Sequence, residues 1–193
     1  MLSLDKTKDN KEITKFLQGQ PFAIMFKMDG ITNSLTYEEG KLITAETRGN
    51  GIEGEDIFHN AKVIKNIPQT ISYLERLVVD GEIICRKDDF VPFKEKYKYP
   101  RNFAAGSIRL LSSKECENRN LLFIAWDTIE GVPTAKEFWE KLEKLHYILE
   151  FDIVPMVYDQ QWPDEGLKVI KENFKEEHNI YPIDDYDFKF NDI

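Results

Sequence analysis

The sequence predicts an α+β fold built on antiparallel sheets flanked by helices. Strand-length apolar runs come in hairpin-like pairs, and amphipathic helical stretches are scattered among them without a βαβ rhythm. There is also no internal repeat, low-complexity tract or obvious linker, so residues 1–193 read as one domain.

FAIMFK (22–27) is a short buried strand. ITNSLTY (31–37) and KLITAETR (41–48) alternate in part and flank Glu38-Glu39-Gly40, which marks a hairpin. The glycine-rich loop GNGIEGED (49–56) leads into a short helix, IFHNAKVI. RLVVDGEIICR (76–86) is a strand rich in Val and Ile. DDFVPFKEKY and RNFAAGSIRLL read as helices, with Pro100 punctuating between them. LLFIAWDTI (121–129) is an apolar strand. TAKEFWEKLEKLHYILEF (134–151) is the clearest helix, with a Thr134/Glu137 capping box and an apolar stripe of Phe138, Leu142, Leu145 and Leu149. DIVPMVY is a strand, DEGLKVIKENFKEE a second amphipathic helix, and YPIDDYDFKFNDI a final strand.

With 41% hydrophobic and 32% charged residues, the chain has the composition of a soluble globular protein. No long uncharged apolar run offers a membrane span, and the opening MLSLDKTKDNKEITKF is too polar for a signal peptide. Cys85, Cys116, His59, His146 and His178 show no zinc-site spacing, and two thiols fit the reducing cytoplasm, the compartment expected. The net charge of −9, from 35 acidic and 26 basic residues, is opposite to that of a domain gripping nucleic acid alone. If the chain acts on DNA, other modules are expected to supply most of the grip.

Gly49-Asn50-Gly51-Ile52-Glu53-Gly54 satisfies the dinucleotide pattern G-x-G-x-x-G between a strand and a helix. Three features oppose that reading. The preceding strand is half polar, where a central parallel strand is nearly all apolar. A hairpin delivers the chain into the loop. Glu53, Glu55 and Asp56 would repel a pyrophosphate at the helix entrance. A plain turn, or a loop carrying Arg48 into a site, fits better.

In IMFKMDG, Lys27 ends an apolar run and Asp29 follows at i+2, on the same side of an extended chain. Alone this is a surface lysine and a turn. Glu82, however, lies inside a hydrophobic strand, where a carboxylate is costly without a partner or a purpose. Trp126 ends an apolar strand and offers a flat face to a base. Arg101 and Arg109, eight residues apart, would lie on roughly one helical face. Asp184 and Lys189 sit in the last strand, the lysine between Phe188 and Phe190. Each has a bland reading as an ion pair, a core side chain or a solvated face; their joint order is harder to dismiss.

That order is KMDG, TRGNGIEGEDIFHN, VDGEI, YPRNFAAGSIRLL, FIAWD and YPID…FKFND. It resembles the adenylation (nucleotidyltransferase) domain of bacterial NAD-dependent DNA ligases, over nearly the whole chain. KxDG is common to covalent nucleotidyltransferases, whereas TRGxGxxGED and PRNxAAGSxR belong to the NAD-dependent branch. The resemblance implies a nucleotidyltransferase (ATP-grasp-like) fold and an enzyme in which Lys27 attacks the adenylyl phosphorus of NAD. The resulting lysyl–AMP would pass to the 5′-phosphate of a DNA nick during replication and repair.

By the same resemblance, Ser3, Leu4, Arg48 and Trp126 would line the NAD or adenine pocket, and Glu82 would lie near the ribose and metal. Arg101 and Arg109 would serve the phosphates and the nick. Lys189 would contact the phosphate, with Asp184 near a metal, and Asp29 would orient the lysine or a hydrated Mg²⁺, so that Asp29, Glu82 and Asp184 form the metal set. Attack needs a neutral amine, and a free lysine at pH ~7.5 is only about 0.1% neutral. Burial and a cation such as Lys189 are expected to depress its pKa, and Gly30 to allow a sharp turn beside the phosphates.

Three positions depart from the family pattern. Met25 replaces a glutamate that reads the adenine edge and is left to pack on the base. Asp185 replaces a glycine and Asp187 an apolar residue, adding negative charge beside a phosphate site. The family's nicotinamide-binding domain and its OB, zinc, helix–hairpin–helix and BRCT regions do not match any part of this sequence. Nicked DNA is therefore expected to be held by the remainder of a ligase, or by a separate subunit. Alternatives at this level are a non-catalytic adenine-nucleotide-binding relic and half of a split ligase.

Overall fold

The computed structural model describes residues 9–17, 19–49, 54–131, 138–160, 163–174 and 179–190. Two antiparallel sheets organise them. One has the order β6-β1-β7, with β1 at Phe22–Met28, β6 at Met156–Gln160 and β7 at Ile183–Phe190. The other has the order β3-β2-β4-β5, with β2 at Ile31–Glu38, β3 at Lys41–Thr47, β4 at Leu77–Cys85 and β5 at Leu121–Glu130. Among the described residues no helix is long and apolar enough to cross a membrane.

The β2–β3 hairpin forms at the expected place. Glu39 (φ 49°) and Gly40 (φ 73°) both adopt left-handed backbone, the two-residue turn whose twist matches antiparallel strands. The chain then passes Arg48 and returns along the edge of β3. The Thr47 N–H donates to the Glu55 carbonyl at 2.9 Å and the Ile57 N–H to the Ala45 carbonyl at 2.9 Å. This return excludes the parallel crossover that the dinucleotide pattern requires. Residues 50–53 of that loop, and the Thr134/Glu137 capping box, lie outside the described residues.

Helices cover the sheets. Helix α1 (Asn10–Leu17) forms in a segment where the sequence suggested only polarity; Leu17 is 1% exposed and anchors it. The other short helices are α2 (Phe58–Ala61), α3 (Lys87–Phe90) and α5 (Ser113–Glu117), the last capped by Ser112 accepting from the Glu115 N–H. Helix α4 (Pro100–Ser107) begins at Pro100, whose missing N–H costs nothing at a first helical position. Its Phe103 is fully buried and stacks on Phe93 at 4.3 Å. Helix α6 (Phe138–Tyr147) buries Phe138, Leu142 and Leu145, as the stripe predicts, and α7 (Pro163–Asn173) packs on the β6 side.

Two expectations change. The run RNFAAGSIRLL stops being helical at Ser107, so Arg109 lies beyond α4 rather than on one face with Arg101. Gly30 has no left-handed backbone. It is the second of two residues, Asp29 and Gly30, by which the chain leaves β1 for β2 and so crosses from one sheet to the other. A Cβ there would sit 2.3 Å from the Ile83 carbonyl oxygen on β4, so glycine is required by space.

Candidate active site

The side chains of interest collect where the facing surfaces of the two sheets meet, and pairing register explains which ones. On β1 and β7, Ala23 pairs with Lys189, Met25 with Asp187 and Lys27 with Asp185. Directly opposed residues share a face, so all six point to the same side. Between Lys27 and Met28 the register slips: Lys27 pairs with Asp185 but Met28 with Ile183, leaving Asp184 as the bulged residue. The bulge aims its carboxylate at the lysine, and Lys27 Nζ donates to Asp184 Oδ2 at 2.6 Å.

A second bulge lies in the other sheet. Gly81 on β4 pairs with Ala125 and Asp80 with Asp127, so Trp126 is the extra residue on β5. Asp127 thereby comes onto the face that holds Asp80 and Glu82. On β2, Thr32 opposes Glu82 and Ser34 opposes Asp80, and the Ser34 hydroxyl donates to Asp80 Oδ1. Lys189 joins the two sheets: its Nζ donates to Asp127 Oδ2 at 3.1 Å and lies 5.0 Å from the Trp126 ring centroid.

Charge states follow from burial and partners. Glu82 is 9% exposed, and burial pushes its carboxyl up to about 7. Hydrogen bonds from Thr32 and the Gly30 backbone, with the charges of Arg101 and Lys27, pull the other way. Burial likewise raises Asp80 and Asp187. For Lys27 burial acts downward, but the hydrogen bond and charge of Asp184, with Asp187 and Glu82, outweigh it and hold the ammonium above its ordinary value. This corrects the expectation of a depressed lysine. Lys189 is not the cation that acts on it, being paired with Asp127.

Other predicted residues spread around this centre. Asp29 follows the end of β1; its N–H donates to the Pro182 carbonyl at 2.9 Å and its carboxylate lies 3.9 Å from Arg101 Nη1. Arg48 is exposed at the end of β3, with its backbone N–H on the Thr32 carbonyl at 3.0 Å. Arg109 pairs instead with Glu55 and donates to the Ala105 carbonyl at 2.9 Å, so the two arginines address different partners. Met25 shares the Lys27 face but is 2% exposed, inside the core. Ser3 and Leu4 lie outside the described residues.

Among the described residues no three His, Cys, Asp or Glu side chains form a group able to hold a metal ion. Asp29, Glu82 and Asp184 therefore do not make a preformed magnesium cage. Sequence reasoning missed Asp80, Asp127 and Ser34. Period-2 spacing from Glu82 points to Asp80. Nothing in the sequence points to Asp127, because simple alternation puts it on the face opposite Trp126.

The chain is similar to known proteins in sequence and in fold. Residues 1–193 match the model of the NAD-dependent DNA ligase adenylation domain. A DNA ligase of Lachnoclostridium phytofermentans is 38% identical over 205 residues, covering 100% of this chain and 31% of the relative. A DNA ligase of Ruminiclostridium cellulolyticum is 42% identical over 138 residues, covering 68% of this chain and 21% of the relative. The chain thus spans a third or less of the length of these relatives. Among solved structures, a mycobacterial DNA ligase D complexed with ATP and MES superposes with TM-score 0.51 at 12% identity, covering 90% of this chain and 49% of that one. A structure from a study of Lig E DNA ligases gives 0.51 at 16%, covering 89% and 56%. At such identities the structures speak for the fold, two antiparallel sheets with flanking helices. The family-model match across residues 1–193 establishes that the chain belongs to the NAD-dependent DNA ligase adenylation domain family.

Proposed function

We propose that this chain is a one-domain adenylation module, with Lys27 the nucleophile that takes AMP from NAD. The observation that carries this is the placement of Lys27: the end of β1, at the crossing between sheets, partly shielded and bonded to an acid delivered by a bulge. In the reaction the Lys27 Nζ–P bond forms while the P–O bond to nicotinamide mononucleotide breaks, and that nucleotide leaves with the electron pair. The AMP then passes to the 5′-phosphate of a DNA nick, and the 3′-hydroxyl displaces it to seal the strand. Nicked DNA and the remainder of a cytoplasmic ligase are the partners in this reading, which places the protein in replication and repair.

The resting amine is an ammonium held by Asp184, so it must lose a proton before attack. Nucleotide binding that displaces Asp184 leaves burial as the dominant influence, and burial favours the neutral amine. Glu82, with a pKa of about 7, is a buried carboxyl beside Lys27 that changes protonation in the working range. Arg101 and Lys189 serve the phosphates. Trp126 offers its ring to the adenine, with Arg48 near the donor. Arg109 is held by Glu55. Magnesium would come with the nucleotide phosphates, as is usual for an ion bound by one or two carboxylates plus substrate.

The test is the intact mass of the purified chain after incubation with Mg²⁺ and NAD, beside Lys27→Ala. A gain of one AMP, absent in the variant, is expected. No gain, even with a nicotinamide-binding domain supplied as a separate chain, favours the second reading, a nucleotide-binding protein without catalysis. Asp187, half-buried on the Lys27 face, is the observation on that side.

A further inference from the structure

Lys189 has more partners than a phosphate ligand needs. It stands on β7, while its hydrogen-bond acceptor, Asp127, and the Trp126 ring stand on β5 of the other sheet. The Phe138 ring of α6 lies 4.4 Å from the same ammonium. The Lys189–Asp127 pair is mostly shielded, with side chains 24% and 22% exposed, unlike Lys27–Asp184, whose acid is 51% exposed. Lys189 also offsets, at longer range, the charges of Asp80 and Asp187. Lys189 therefore shares the balancing of an inner group of three acids, with Arg48 acting on Asp80 and Lys27 on Asp187, and of the three it is bonded directly to Asp127.

We propose that Asp127 is a positioning residue that holds Lys189 across the cleft in the nucleotide-free protein and competes with the nucleotide phosphate for it. The inference rests on the reading of Lys189 as a phosphate ligand and deepens it. A phosphate entering the site meets an ammonium already bonded to a shielded carboxylate and backed by two further acids. Two anions on one ammonium repel each other in a poorly solvated site. Binding must therefore swing Lys189 off Asp127, and the affinity for phosphate is lowered by whatever that pairing contributes. The bulge at Trp126 is the structural cause, since without it Asp127 would face away from Lys189.

Asp127→Asn keeps the shape and an acceptor oxygen but removes the charge. Calorimetric titration with AMP and with adenosine reads the consequence. The variant is expected to bind AMP about tenfold more tightly, a shift of about 1.4 kcal/mol, with adenosine affinity unchanged. The same substitution in a Lys189→Met background, or Lys189→Gln should Met fail to fold, is expected to give no gain, because the effect acts through Lys189. A purely structural role for Asp127 would not separate AMP from adenosine. Equal tightening in both backgrounds would mean plain charge repulsion and overturn the proposal, as would no tightening with Lys189 present. A wild-type chain that binds neither ligand overturns the reading of the site and this proposal with it; binding without an Asp127 effect overturns the proposal alone.

Discussion

Replacing Gly30 by alanine tests the reason this site exists where it does. The new Cβ would meet the Ile83 carbonyl oxygen at 2.3 Å, Ile84 Cγ2 at 2.8 Å and Glu82 Cγ at 2.9 Å. Ordinary contact begins near 3.4 Å, so β4 or the β1–β2 crossing must retreat by roughly 1 Å. The obstacle is main chain inside a paired sheet, which cannot rotate aside like a side chain. Overpacking of this kind costs about 1–3 kcal/mol, and a backbone clash belongs in the upper half of that range. For a chain of 193 residues, at roughly 2–4 °C per kcal/mol, the midpoint of thermal unfolding is expected to fall by about 4–12 °C. Circular dichroism melts would show it. Gly106→Ala is the internal control: its Cβ meets nothing nearer than Tyr97 at 3.6 Å on helix α4. It should gain about 0.5–1 kcal/mol from helix propensity alone. If Gly30→Ala melts within a degree of wild type, the close approach between the crossing and β4 is not what demands the glycine.

Two more substitutions follow from the charges. Glu82 has its folded pKa raised from 4.5 to about 7, so the native state keeps a proton that the unfolded chain has lost; stability falls as pH rises across that window and levels off above it. Glu82→Gln should flatten that slope, by about 3 kcal/mol at most, in urea unfolding followed from pH 4.5 to 8; an unchanged slope would remove burial as the cause. Asp184→Asn keeps an acceptor oxygen but deletes the charge that raises Lys27, leaving burial, which lowers it, opposed by Asp187 and Glu82. The Lys27 ammonium should therefore titrate at lower pH than in wild type, read by NMR of the side chain, while stability changes by at most about 1 kcal/mol because the pair is partly exposed. A Lys27 titration that did not move would show that Asp184 is not its controlling partner.

The residue types at the centre of this protein are legible in one dimension. FAIMFKMDG announces a buried strand ending in a lysine, VVDGEIIC a carboxylate in a hydrophobic strand, and Glu39-Gly40 a tight hairpin. Each signal is local, set by backbone preference, side-chain period or the cost of burying charge, and each appears in the structure where expected. What neighbours do to one another was not legible. The bulges that turn Asp184 toward Lys27 and bring Asp127 onto the Asp80 face exist because two strands of unequal residue count must pair, a property of the ladder and not of either strand. The capture of Arg109 by Glu55 and the space needed at Gly30 are likewise set by partners more than fifty residues away. The protonation of Lys27 belongs to the same class. Its strand supplies the burial that lowers the pKa, but the carboxylate that outweighs burial comes from β7, and only the packed sheet brings the two within 2.6 Å.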